Sequence, residues 1–303
     1  MEIKIIKRLL KKPYHFVRNT VINIKYVFFK KHYKCNVLGP IETIDFILSH
    51  PVSVSRFGDG EFYVMWNMNG GPFQKANPQL ARRLWEIFTS RLDNHIVCIP
   101  YTFHDFSWCV SQTKQFVKDF VVTYSKQLER TIDRERLYYD TNFTRFYFDH
   151  VDKSDCGKIA NMIQQLWKDQ NLLIVEGEST RFGVGNNLLE GAKSVKRILC
   201  PSINAFDVYD KILAKVKSCA SKDDLILCAL GMTATVLAYD LSQLGFRAID
   251  IGHFDIEYEW FKMGATSKCP VPHKAVNEAG YQSVSDNLID KEYRSSIIAT
   301  LVK

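Results

Sequence analysis

The feature that most constrains the fold is a repeated alternation in the second half of the chain. From Asp155 onward, stretches with helical spacing are each followed by a short run of Val, Ile and Leu. The pattern predicts helix Ile159 to Asp169 before strand Leu172 to Val175, and helix Asn186 to Gly191 before strand Val195 to Cys200. It then predicts helix Ala205 to Ser218 before strand Leu225 to Leu230, and helix Thr233 to Leu244 before strand Arg247 to Ile251. Such alternation predicts an α/β fold, a Rossmann-like and mostly parallel sheet with helices on both faces. In the first half, Val52 to Phe57 and Ile96 to Pro100 read as further strands. Ile41 to Ser49, Gln79 to Leu92 and much of Asp105 to Arg134 read as helical.

Ligands of parallel sheets bind beyond the carboxyl ends of the strands. Five polar clusters fall there: Arg56-Asp59-Glu61, Glu176-Glu178-Thr180-Arg181, Pro201-Ser202-Asn204, Gly231-Thr233 and His253-Asp255-Glu257. Gly58-Asp59-Gly60 follows a strand as a tight turn with exposed backbone, and Arg56 beside it suits phosphate or carboxylate. Gly231-Met232-Thr233-Ala234 joins a strand to a helix start, where unpaired N–H groups and the positive dipole end favour an anion. Arg181 can neutralise a diphosphate, or pair with a neighbouring acid such as Glu178.

Ala248 to Trp260 ends an apolar run and then alternates acids with apolar or aromatic residues. Read as extended, it lines Asp255, Glu257 and Glu259 along one face, which suits a hard cation such as Mg²⁺ or Mn²⁺. Read as a helix, it puts Asp255 and Glu259 together and turns Glu257 away, leaving one carboxylate as a general base. His253 is a further catalytic candidate or a structural histidine.

The net charge of +7 is concentrated at the start of the chain. Residues 1–34 hold ten Lys or Arg and one acid, Glu2, leaving the remainder slightly acidic. The body therefore offers no argument for nucleic acid. The segment 1–36 is basic and amphipathic, suited to an anionic membrane surface or to packing on the body, and 37–303 forms the main domain. The eight cysteines form no CxxC pair, which suits buried, reduced thiols and a cytoplasmic location, free or at the inner face of the cell membrane. No long uncharged apolar run or signal-peptide pattern is present.

Together these motifs resemble the GT-D-type glycosyltransferases of bacteria. The resemblance rests on Arg56-Phe57-Gly58-Asp59-Gly60-Glu61, Val175-Glu176-Gly177 through Asn186, Cys200-Pro201-Ser202 to Phe206, Gly231 to Ala234 with Leu237 to Leu241, and Asp250 to Trp260. It implies a UDP-sugar donor, usually UDP-glucose, a glycan or lipid-linked acceptor, and a DxE metal motif. Both Asp59-Gly60-Glu61 and Asp255-Ile256-Glu257 fit DxE. The expectation is Mn²⁺ or Mg²⁺ on Asp255 and Glu257, with Glu259, Asp59, Glu61 or His253 in catalysis. Donor contacts are expected from Arg56, Gly58, Glu178, Thr180, Arg181, Ser202, Asn204, Gly231, Thr233 and Ala234. Met232 stands where the family's loop is expected to have proline. A phosphohydrolase or nucleotidyltransferase would use the same acids, and a nucleotide-binding membrane-surface module would use them only as ion pairs.

Overall fold

The computed structural model describes residues 17–30, 34–68, 70–71, 73–280, 284 and 290–302. Residues 1–16 and 31–33 of the basic segment lie outside this set. Nine strands are seen among the described residues: β1 (Asn36–Val37), β2 (Ser53–Arg56), β3 (His95–Ile99), β4 (Leu137–Asp140), β5 (Asn171–Gly177), β6 (Ser194–Cys200), β7 (Asp224–Ala229), β8 (Arg247–Asp250) and β9 (Ile297–Thr300). They form one sheet in the order β1-β4-β3-β2-β8-β7-β5-β6-β9. Every pairing is parallel. All strands therefore end on one rim, as the alternation predicts.

The central strands are buried on both faces, which is why they read as unbroken apolar runs. Leu172 and Ile174 of β5 pack with Ile44, Ile47, Ile163 and Trp260, from helices Pro40–Ser49, Cys156–Gln165 and Phe254–Lys262. The alternate residues Leu173 and Val175 face Ile212, Val216 and Leu237, from helices Tyr209–Cys219 and Met232–Gln243. Further along the sheet, Val97 and Ile99 of β3 pack with Phe62, Leu84 and Phe88 of helices Asp59–Met65 and Pro78–Thr89. The period of two in a strand places successive side chains on opposite faces, so each strand serves both layers.

At the centre, β2 and β8 pair through one register position, Val54 with Ile249. Side chains complete the junction. Ser53 Oγ donates to the Phe246 carbonyl and accepts from Ala248 N–H at 3.0 Å. Ser55 Oγ donates to the Thr235 carbonyl at 2.7 Å, tying the sheet to helix Met232–Gln243. Six of the eight cysteines are buried, as their place in apolar runs suggests.

One expected helix is corrected, one open reading is decided and two strands are added. Asn186 to Gly191 forms turns instead of a helix: Gly183, Gly185 and Gly191 take positive φ, and the Asn186 side chain accepts from Leu188 N–H. Asp255 to Trp260 is helical instead of extended. β4 lies in a stretch crowded with aromatic residues and β9 beyond a polar one, so neither falls within the regular alternation that marks β5 to β8.

Candidate active site at the strand ends

A cavity of about 1610 Å³ opens on the rim where the strands end. Residues following β2, β3, β4, β5, β6, β7 and β8 all reach it, and the stretch 265–278 closes one side. Parallel strands dictate this convergence, because each sends its loop to the same edge.

Beneath the cavity lies the ion pair of Arg56, at the end of β2, and Asp250, at the end of β8. Arg56 Nε and Nη2 both approach Asp250 Oδ1 at 3.3 Å, and Nη1 donates to Thr144 Oγ1 at 2.7 Å and to the Thr141 carbonyl at 3.0 Å. Thr235 Oγ1 donates to Asp250 Oδ2 at 3.2 Å. Burial pushes the Asp250 carboxyl up, and Arg56 opposes that rise. Gly252 lies two residues beyond Asp250. It has φ +51°, and a Cβ there would lie 1.7 Å from Arg56 Nη2. Glycine is thus required twice, for the backbone angle and for the guanidinium.

Helix Asp59–Met65 begins at the cavity wall. Gly58 N–H donates to Glu61 Oε2 at 2.8 Å, so Glu61 folds back to cap its own helix. Burial pushes the Glu61 carboxyl up to about 7. Asp59, in contrast, is exposed at the cavity wall.

Across the cavity, Arg145 Nη2 donates to Glu278 Oε1 at 3.2 Å. Burial alone would raise the Glu278 carboxyl; His253 in its protonated form, and the Arg145 guanidinium, hold it below the usual range. Burial lowers His253 to about 4, so its imidazole is neutral near pH 7. Glu278 and Lys268 also line the cavity, yet carry no motif of their own in the sequence. The pairing need of Arg145 is the only local hint of Glu278.

The acids of helix Phe254–Lys262 are committed elsewhere. Lys274 Nζ donates to both Asp255 oxygens, at 2.8 and 2.7 Å, and to Glu259 Oε1 at 2.9 Å. Asn186 Nδ2 donates to the same two carboxylates, and Gly183 N–H donates to Asp255. Glu257 points away and accepts from Tyr147 and Phe148 N–H at 3.1 and 3.0 Å. The helical reading therefore applies: Asp255 and Glu259 share a face and a buried ammonium, and Glu257 does not join them. Asp255 and Glu257, expected to share a metal, do not fit a common divalent cation: they face different partners, and Lys274 already supplies the charge at Asp255. Among the described residues, no group of three or more His, Cys, Asp or Glu is gathered for a metal.

Of the residues singled out from the sequence, Arg56, Gly58, Asp59, Glu61, Thr180, Ser202, Gly231, His253 and Asp255 line the cavity. Glu178, Arg181, Asn204, Thr233, Ala234, Glu257 and Glu259 are not among its lining residues. Arg181 is buried and donates to the His273 carbonyl at 3.0 Å. Asn204 adopts a left-handed turn and accepts from Lys75 N–H through its side chain. Glu176 is buried and paired with Arg197 at 2.6 Å.

Two substitutions test this geometry. Gly252→Ala should cost about 2 kcal/mol or more, since the left-handed angle is strained for alanine and Arg56 must move. Gly264→Ala isolates the angle: Gly264 has φ +60° with nothing within 4 Å of an added Cβ. Urea midpoints should fall further for Gly252→Ala than for Gly264→Ala; equal losses would contradict the Arg56 contact. For Glu61, a carboxyl raised to about 7 binds its proton more tightly in the folded than in the unfolded chain. Its contribution to stability is therefore lost as pH rises from about 4.5 to about 7. Glu61→Gln keeps an acceptor for Gly58 and removes this slope. The variant should gain up to about 2 kcal/mol on wild type between pH 5 and 8, measured as paired urea titrations.

Comparison with known proteins places the chain in a family. The family described as "Glycosyltransferase GT-D fold" matches residues 54–279, which span the cavity loops. "Probable glycosyl transferase Gly" of Streptococcus gordonii is 38% identical over 270 residues, covering 88% of this chain and 39% of that protein. "Glycosyltransferase GlyD" of Streptococcus pneumoniae serotype 4 is 37% identical, covering 88% of this chain and 32% of that protein. The chain thus spans 32% to 39% of the length of these relatives. Among solved structures, one described as "The highly conserved domain of unknown function 1792 has a distinct glycosyltransferase fold" superposes with a TM-score of 0.86 at 36% identity. It covers 92% of this chain and 100% of its own. "A New Glycosyltransferase (DUF1792) from Streptococcus sanguinis" gives a TM-score of 0.83 at 37% identity, covering 88% of this chain and 100% of its own. The chain belongs to the GT-D-fold glycosyltransferase family.

Proposed function

We propose that this chain transfers a sugar, glucose in the first instance, from a UDP-sugar to a glycan, glycoprotein or lipid-linked acceptor in bacterial surface assembly. One observation carries the reading: a single cavity at the ends of seven parallel strands, inside the family match, offers both cationic and acidic groups. Ligand pockets commonly enclose about 300–1,000 Å³. At about 1610 Å³ this cavity has room for a donor and an acceptor together.

Lys268, exposed at the cavity, and Arg145, paired through one nitrogen with Glu278, offer donors to a diphosphate, while Arg56 is held by Asp250 and shapes the floor. Gly58, Gly60, Gly177 and Gly231 let backbone approach it closely. Of the two DxE stretches, Asp59-Gly60-Glu61 presents to the cavity an exposed carboxylate, Asp59, for which no ion pair is seen among the described residues. Asp59, with oxygens of the diphosphate and water, is a donor set that suits Mn²⁺ or Mg²⁺. Such an ion would stabilise the departing nucleoside diphosphate. Glu61, with its carboxyl near 7, is poised to take the proton of an acceptor hydroxyl.

The test is release of UDP and free sugar from labelled UDP-sugars with Mn²⁺. Wild type should hydrolyse the donor slowly, and Asp59→Asn should lose about 100-fold or more of that rate. Preferential turnover of UTP would favour a phosphohydrolase. Tight UDP binding without turnover would favour a binding module.

A further inference from the structure

Helix 17–30 has two apolar faces. One packs on the body: Ile22 and Tyr26 are buried, and the Tyr26 ring lies 5.3 Å from Phe106. Arg18 pairs with Asp119 at 3.1 Å, and Lys118 donates to Asn23 at 2.8 Å. The other face is turned to solvent. Val17, Val21 and Ile24 follow the i, i+4, i+7 spacing of one helical row and are 60%, 45% and 55% exposed, with Val27 beside them at 67%. A helix that only packs on a protein needs one apolar stripe. The second one costs free energy in water.

The charges say what covers it. Residues 17–30 include Arg18, Lys25 and Lys30 and no acid, within a segment 1–34 that holds one acid against ten basic residues. Apolar rows set among lysines match the boundary between acyl chains and anionic headgroups. No described helix is long and apolar enough to cross a membrane, so the match is to a surface. We propose that helix 17–30 seats this protein on an anionic lipid bilayer, with Val17, Val21 and Ile24 inserted and Lys25 at the lipid phosphates. The helix does not line the cavity, so the inference stands apart from the transfer reading. Its body-facing contacts, however, reach Lys118 and Asp119 of helix Ser111–Thr123, whose Phe116 and Phe120 form part of the cavity wall. Docking would therefore hold that wall close to the bilayer.

The full chain is sedimented with vesicles of phosphatidylcholine alone or mixed with phosphatidylglycerol. Wild type should pellet with the anionic vesicles and remain in solution with the neutral ones. The double variant Val21→Asp, Ile24→Asp changes exposed positions only, and its thermal melt should match wild type. Its vesicle binding should fall by about tenfold or more. Three results would overturn the proposal: wild type that stays in solution with anionic vesicles, a double variant that pellets like wild type, or a concentration-dependent wild-type dimer that the double variant abolishes without vesicles.

Discussion

The Arg56–Asp250 ion pair is the constraint around which the centre of this molecule is arranged. β2 and β8 meet at one register position, and the pair joins their carboxyl ends where the backbone ladder does not. A buried ion pair stabilises only when its remaining hydrogen-bonding capacity is met. Here Thr141, Thr144 and Thr235 meet it, which ties the turn after β4 and the helix after β7 to the same point. Gly252 is the steric consequence, since any side chain there would strike the guanidinium. The floor of the cavity is thus fixed by electrostatics and by one missing methyl group.

Electrostatics also separates the two DxE stretches. In helix Phe254–Lys262 the acids form part of the structure: Lys274 and Asn186 bind Asp255 and Glu259, and backbone N–H groups bind Glu257. They clamp the 183–186 turns and the stretch around 274 to the body. At Asp59-Gly60-Glu61 the first acid is exposed at the cavity and the second caps its helix. In the proposed transfer reading, this exposed carboxylate is the one that meets the charged substrate.

Much of the sheet was legible in the sequence because burial on both faces leaves a simple trace, as in Leu172 to Val175 and Leu225 to Leu230. The rim was legible because each strand is followed by polar or glycine residues, such as Ser202 after β6 and Gly231 after β7. Asp255 to Trp260 misled because alternate acids mimic a strand's period of two. In the helix those acids serve different partners, and Lys274 and the Tyr147 backbone are distant in sequence. Arg181 looked like a phosphate ligand by type, but its buried guanidinium holds a backbone carbonyl. Glu278 was silent because an acid in a polar tail carries no pattern until the fold brings it to Arg145. Local periodicity reports burial well and reports long-range pairing poorly.

The central claim is that the strand-end cavity, and within it Asp59 instead of Asp255, receives the nucleotide sugar. A crystal structure of the chain with UDP and Mn²⁺ tests it most directly. The account predicts the diphosphate over Gly58–Glu61, a metal coordinated by Asp59, and Lys274 still bound to Asp255. A metal on Asp255 with Lys274 displaced would contradict it, as would a nucleotide bound outside the cavity.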